Sequence, residues 1–496
     1  MQIKFITTAL AAAILAAPAM ADVPAGSVLE VRLLTAVSSY STKTGARVEA
    51  LVVAPACPRG IPAGAIVSGT VKRVHKVGLG LIYECARMDI EFHELRLPSG
   101  ESYAMRARLL GVENAREHVD KHGAIRGIRA TYSLSNRMSS RLFFAIDDHP
   151  FLLIPLFVVE TAVFRFPDPE ISYGPGTELS LQLEDPIPAG ELPGCADPEP
   201  QARPEESAEL EELVGGVPAW TYTKRWPRPM DPTNLVFLGS REALDDAFAA
   251  AGWTGSESMS PATGMRVIRA IAEGHEYADA PMRTLLLDGA EADISRQKTL
   301  NTFVKRDHLR MWKRPGSFRG QTVWAAAATK DIGVSFSMRS GFTHEIQNDV
   351  DLERDRVVSD LVFTGCVDSV SYVKRPPSAT DVAMDGRKGL TTDARVAVVA
   401  LNSCDRPRFG SAPATENQQV PAAVRWVRRV TLTARNHILR DHMVWKRAEA
   451  AWMGYRMVHY WVQERLSERR ALAAARAAHD SHETVRVEAP GAPAGN

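Results

Sequence analysis

Arg306, His308, Arg310 and Trp312 occupy every second position of the run K-R-D-H-L-R-M-W, a period that on a β-strand sends all four side chains to one face. Two guanidiniums flanking an imidazole make an electropositive surface, and the guanidinium fork matches the paired oxygens of a phosphate or carboxylate. Further along stand His344, in T-H-E, and the stretch N-D-V-D-L-E-R-D with Asp349, Asp351 and Arg354. A carboxylate such as Asp351 beside His308 or His344 would orient the imidazole for general acid or base work. The candidate catalytic set is therefore His308, His344 and Asp351, with Arg306, Arg310 and Arg354 as anion-binding partners. No Ser or Cys stands in a recognisable nucleophile elbow, so covalent catalysis has no positive support.

The same residues admit two other readings. His308, His344, Asp349 and Asp351 have donor types suited to zinc or manganese, but no short His-x-x-His spacing fixes a coordination geometry, so a divalent metal is a weak expectation. Alternatively, Asp349 and Asp351 open a helix and favour its amino-terminal dipole, while Arg306, Arg310 and Arg354 pair with acids in a buried ionic network and Trp312 and Trp324 serve the core. This structural reading carries more weight than either site.

Several elements must position these residues. K-R-D-H-L-R-M-W reads as a strand, Gly316-Ser317 as a turn, and W-A-A-A-A-T-K-D as the small-residue strand that follows. Asp349 onwards leads into an apolar-periodic helix. Ahead of them, Ser240 caps a helix carrying Leu244 and Phe248 on one face, and a second helix over Thr263 to Glu273 turns Val267, Ile268 and Ile271 inward. Strands at Thr284 to Leu287 and Glu291 to Ser295, joined across Asp288 and Gly289, complete an α+β domain with an antiparallel sheet over 218–408.

With 496 residues the chain is long enough for two or three domains. Residues 22–188 alternate apolar and polar positions, as in Leu29, Val31, Leu33 and again in Leu179, Leu181, Leu183, which predicts an amino-terminal all-β barrel or sandwich. Within it, Leu142 to Ile146 and Phe151 to Val159 are strongly apolar, and buried strands are the expectation, with a membrane-surface or partner-binding loop as the alternative. Residues 189–217, rich in Pro and Glu, read as a solvated linker. After a polar stretch at 409–420, residues 421–480 read as basic amphipathic helices, with a stripe through Trp445, Trp452, Tyr455, His459, Val462 and Leu466, before a disordered end at 481–496.

The first residues, Met1 to Ala21, have the pattern of a secretory signal peptide with an A-x-A cleavage site, which implies a periplasmic or extracellular location. In that compartment Cys57 with Cys85, and Cys366 with Cys404, could each close a loop, leaving Cys195; spacing alone leaves the pairing open. The formal net charge is zero, which with export argues against nucleic acid. The tail aromatics flanked by arginines suit an anionic membrane surface or an envelope protein, and packing against the chain itself or a second copy explains them equally well.

Five blocks in order, R-P-x-D-P-x-N at Arg228 to Asn234, A-G-W at Ala251 to Trp253, R-D-H-L-R-M-W, W-A-A-A-A-T-K-D, and T-H followed by D-V-D-L-E-R-D, resemble the LssY C-terminal domain family over roughly 226–368. The resemblance implies a fold and a polar patch; the family has no established activity to carry over. Its relatives often join this domain to a membrane phosphatase of the type 2 phosphatidic-acid phosphatase kind, whose spanning helices and paired Arg and His motifs are not found here. The family tends to His-x-Ile-Asp where this chain has His344, Glu345, Ile346 and Gln347, which puts an acid-dependent role at that spot in doubt. The expectation is an exported binding or assembly module of the cell envelope; the alternative is a hydrolase working through the His/Arg/Asp cluster.

Overall fold

The computed structural model describes residues 23–53, 61–62, 64–79, 84–145, 151, 155, 164–187, 204–224, 227–337, 341–375, 390–405, 421–441, 451–452, 454–470 and 473. The leader pattern, Cys57, Cys195, Trp445 and the terminal residues lie outside them. The chain divides into two compact units, Met1–Arg429 and Val430–Asn496.

The first unit opens with a closed antiparallel barrel. Its strands are β1 (Val28–Leu33), β2 (Arg47–Val52), β3 (Ile66–His75), β4 (Arg87–Arg96), β5 (Ser102–Val112) and β6 (Glu178–Leu183). They run in the order β3-β2-β1-β6-β5-β4, and pairing of β3 with β4 closes the ring. The expected alternation fills it: Val31, Val48, Val67, Ile90, Phe92, Leu109, Leu179 and Leu181 are all buried. Closure leaves no edge among these strands to template further pairing. The register shifts between Ser68 and Gly69, where a Cβ would collide with the Glu91 backbone, so only glycine fits.

Leu142 departs from expectation. It lies on helix α1 (Leu134–Ala145), not on a buried strand; most of 146–163, including most of the second apolar run, lies outside the described residues. The predicted acidic linker is also partly folded. Helix α2 (Pro204–Gly215) buries Leu210 and Val214, with Leu213 packed beside them. Leu210, Leu213, Val214 and Val217 follow the i, i+3, i+4, i+7 spacing of a helix face, a signal masked by the surrounding glutamates.

The second domain contains strands β7 (Trp220–Thr223), β8 (Leu235–Leu238), β9 (Leu285–Leu287), β10 (Ile294–Thr299), β11 (Arg306–Phe318), β12 (Gln321–Ser337), β13 (Gly341–Ile346), β14 (Val367–Lys374) and β15 (Arg395–Leu401). Its main sheet runs β10-β11-β12-β8-β15-β14, with β13 pairing β12. Every pair in it is antiparallel except β8 with β15, so the sheet is mixed. Helices α3 (Arg241–Ala250), α4 (Pro261–Glu273) and α5 (Asp351–Thr364) complete the domain.

Apolar residues cover both faces of the sheet. One layer joins Leu309, Met311, Trp324, Ala326 and Ala328 to Leu244 and Phe248 of α3 and Val357 and Leu361 of α5. The other joins Trp312, Val323, Ala325 and Ala327 to α2 and to β9. Ser240 caps α3 by accepting from the Ala243 backbone at 3.1 Å, and Ser260 caps α4 in a capping box. Ile268 of α4, expected inward, is exposed. The β11–β12 turn falls at Arg319-Gly320, not Gly316-Ser317: both residues have positive φ, as a two-residue hairpin demands, while Gly316 sits in a bulge. Asp288-Gly289 closes the β9 hairpin in the same way.

Helix α6 (Ala422–Asp441) and a helical segment at 454–470 form the basic tail. No helix among the described residues is long and apolar enough to cross a membrane.

Candidate functional site

Strand β11 places Arg306, His308, Arg310 and Trp312 on one face, as their spacing requires, but every one is buried. Arg306 donates to Asp331 at 2.7 Å and to Gln297 at 3.1 Å. His308 meets the Thr329 hydroxyl at 2.9 Å through Nε2 and lies 3.8 Å from Asp331 through Nδ1. Arg310 donates to Asp231 at 3.1 Å and to the Arg283 carbonyl at 3.0 Å. Trp312 donates to the Ala290 carbonyl at 3.1 Å. Burial pushes the Asp331 carboxyl up to about 6 against the pull of Arg306, and pushes the Arg310 guanidinium down. The row expected to be an open anion clamp is thus a closed chain of ion pairs, with His308 only 6 % exposed.

The other predicted residues lie elsewhere. His344 sits on β13, its backbone in register with Val334 of β12; His308 is in register with Thr329. Five residues of β12 separate these positions, roughly 16 Å at a strand's rise, and the His344 side chain lies outside the described residues. Asp351 and Arg354 form a separate knot at the start of α5. Arg354 bonds Asp351, Asp355 and Asp393, reaches the Arg395 carbonyl at 2.9 Å and lies over the Tyr372 ring. Asp349 accepts from the Asp351 backbone, and burial raises the Asp351 carboxyl above its ordinary value. Arg354, expected to bind an external anion, is therefore occupied by internal ones. Among the described residues no group of His, Cys, Asp and Glu is arranged to hold a metal ion.

The most concentrated charge is on the opposite side of β11, where sequence reasoning did not look. Asp307, between Arg306 and His308, accepts from Asn114 of the barrel at 2.7 Å. Glu353 of α5, 1 % exposed, lies within reach of the Asp307 charge, and neither of its carboxyl oxygens has a hydrogen-bond partner among the described residues. Around them Lys330 bonds Glu113 of the barrel, and Arg356 pairs with Glu178 of β6 and lies 3.6 Å from Glu113. Arg32 of β1 bridges Glu178, at 3.0 Å, and Asp360 of α5. Lys298 and the Trp253 indole also reach Asp360, at 2.9 and 2.6 Å. Barrel and second domain are thus joined through buried ion pairs. Two carboxylates facing each other in such a place cannot both be charged cheaply. Burial, then the Asp307 charge, raises the Glu353 carboxyl well above its ordinary value. The signal that could have found this network is the run Glu353, Arg356, Asp360 on the buried side of α5, charged where an amphipathic helix is normally apolar.

What this arrangement does well is hold two domains together: Arg32, Lys298, Lys330 and Arg356 each meet a buried or half-buried carboxylate at the joint. Cys366 and Cys404, bonded as a disulfide with Cα atoms 4.5 Å apart, tie the end of α5 to the end of β15. No curated protein matches the chain. A solved structure, that of ComB10 of the Com type IV secretion system of Helicobacter pylori, aligns over 34 % of this chain and 90 % of that one at 11 % identity, with a TM-score of 0.19, too loose a superposition to equate the folds. Residues 217–394 match the family described as LssY C-terminus. The second domain, whose sheet carries the R-D-H-L-R-M-W row, is therefore an LssY C-terminal domain, joined here to an amino-terminal β-barrel.

Proposed function

We propose that this chain is a non-catalytic binding module of the cell envelope and that the surface it meets is an anionic bilayer. The observation that carries this reading is the basic tail. On α6, Trp426 is 66 % exposed, with Val424 and Val430 exposed beside it and Arg425 and Arg429 between them. In 454–470, Tyr455, Val458 and Trp461 are exposed, and Arg456 and Arg465 lie over the rings of Tyr460 and Trp461. Aromatic rings in water with arginines at their rims match the boundary between acyl chains and anionic headgroups, where apolar burial and charge attraction act together. Two further observations support the reading. Arg306, His308 and Arg310 are sealed and paired, which suits a structural role, and the Cys366–Cys404 disulfide suits the oxidising compartment that the leader pattern implies.

The test is flotation of the purified full chain with phosphatidylglycerol-containing or pure phosphatidylcholine vesicles. The chain should float with the anionic vesicles, less so as salt is raised, and a Trp426→Glu, Trp461→Glu variant should lose most of that binding. Equal partition into both vesicle types, or none into either, removes the proposal.

A further inference from the structure

Over its described side chains helix α1 is inside out: those it buries are polar, Ser135, Asn136 and Ser139, with Ser133 just before its first turn. The buried groups satisfy one another, Asn136 donating to the Ala130 carbonyl at 3.1 Å and to Ser133 at 2.9 Å, and Ser139 to the Asn136 carbonyl at 3.2 Å. The opposite face carries Leu134, Met138 and Leu142, which are 44, 63 and 47 % exposed. These follow i, i+4, i+8 spacing, so they form one stripe along the axis. An amphipathic helix that folds for its own domain buries that stripe. Here the domain takes the serines instead, and the apolar stripe is left for something outside it.

The charges on that face indicate what the something is. Arg137 and Arg141 are exposed on the same face, interleaved with the apolar residues, and the helix contains no acid. A second copy packed face to face about a two-fold axis would bring these arginines against their own images. A bilayer surface accepts them: the Leu and Met side chains enter the acyl boundary while the guanidiniums stay at the headgroups. We infer that the outward face of α1, made of Leu134, Arg137, Met138, Arg141 and Leu142, is a second bilayer-docking surface, specific for anionic lipid and carried by the first unit independently of the tail. It shares its lipid with the function proposed above but rests on a different face.

Methionine oxidation tests it on the unaltered chain, because peroxide attacks exposed thioethers and spares those buried in lipid. Oxidation of Met138, followed by peptide mass spectrometry, should slow about fivefold or more with phosphatidylglycerol vesicles and not with phosphatidylcholine. A Leu134→Ser, Met138→Ser, Leu142→Ser variant should partition about tenfold or more weaker. Its melting temperature should match the parent, since these side chains already face water. If the chain floats with anionic vesicles while Met138 oxidises at its free rate, the tail alone meets the bilayer and this inference fails while the proposed function stands. If Met138 is protected without vesicles, the face is covered by this chain or, where dilution restores oxidation, by a second copy, and the inference again fails. If the chain does not float at all, both fall.

Discussion

Replacing Glu353 by Gln should stabilise the protein at neutral pH, although it removes a carboxylate from the centre of an ionic network. Glu353 is sealed against Asp307, and burial together with the Asp307 charge raises its carboxyl well above the ordinary 4.5. The folded chain therefore keeps this proton over a pH range in which the unfolded chain has released it. The stabilising contribution is complete below the unfolded-state value. It falls by about 1.4 kcal/mol for each pH unit above that, until the folded-state value is reached. Gln keeps the size and neutrality of the protonated acid but cannot ionise. The stability of the variant relative to the parent should be near zero at pH 4 and grow by about 1.4 kcal/mol per unit through the first units above 4.5. Asp331, raised to about 6 by burial, adds a slope of the same sign, but it is present in both chains and cancels in the difference. Urea unfolding of parent and variant from pH 4 to 7, comparing midpoints, reads this directly. A variant weaker by about 3 kcal/mol or more at pH 7, with no growth in the difference, would mean that Glu353 is ionised and serves Arg356, 3.9 Å away.

Three other outcomes follow from the same contacts. Arg32→Ala strands Glu178 and Asp360 between the domains and should cost about 3–5 kcal/mol, read as a lowered urea midpoint; a loss under about 1 kcal/mol would mean that water already reaches the pair. His308→Ala should lower stability by about 2 kcal/mol, through the lost Thr329 bond and the cavity beside Asp331, and leave vesicle binding unchanged. Loss of a phosphoesterase activity at unchanged stability would instead make His308 catalytic. Reducing Cys366–Cys404, which are 38 residues apart, should lower stability by up to about 4 kcal/mol, measured by unfolding with and without a reductant that is first shown to open the bond.

The legible and illegible parts of this chain separate along physical lines. Local periodicity announced the barrel, because Leu29, Val31, Leu33 and Leu179, Leu181, Leu183 alternate and a strand exposes one face to its core. It also announced α3, through Ser240 and the Leu244–Phe248 pair, and the face shared by Arg306, His308 and Arg310. It could not say whether that face was wet. Burial depends on what covers a strand, and two of the covering parts, Asp231 and Arg283, are far off in the chain. The same limit hid the joint between domains: Arg32 and Glu178 read as the solvent side of barrel strands until α5 is laid over them. At α1 the apolar run from Leu142 suggested a buried strand, and only the structure shows a helix with Asn136 and Ser139 inside and Leu134, Met138 and Leu142 outside.

Hydrogen exchange on the full chain, with and without phosphatidylglycerol vesicles, tests the central claim most directly, since it reports on the tail and on the buried row at once. Vesicles should slow exchange in 422–441 and 454–470 and leave the amides of Arg306 to Arg310 as slow as they are in free protein. Unchanged exchange throughout the tail, or a vesicle-dependent change centred on the strand carrying His308, would contradict the account.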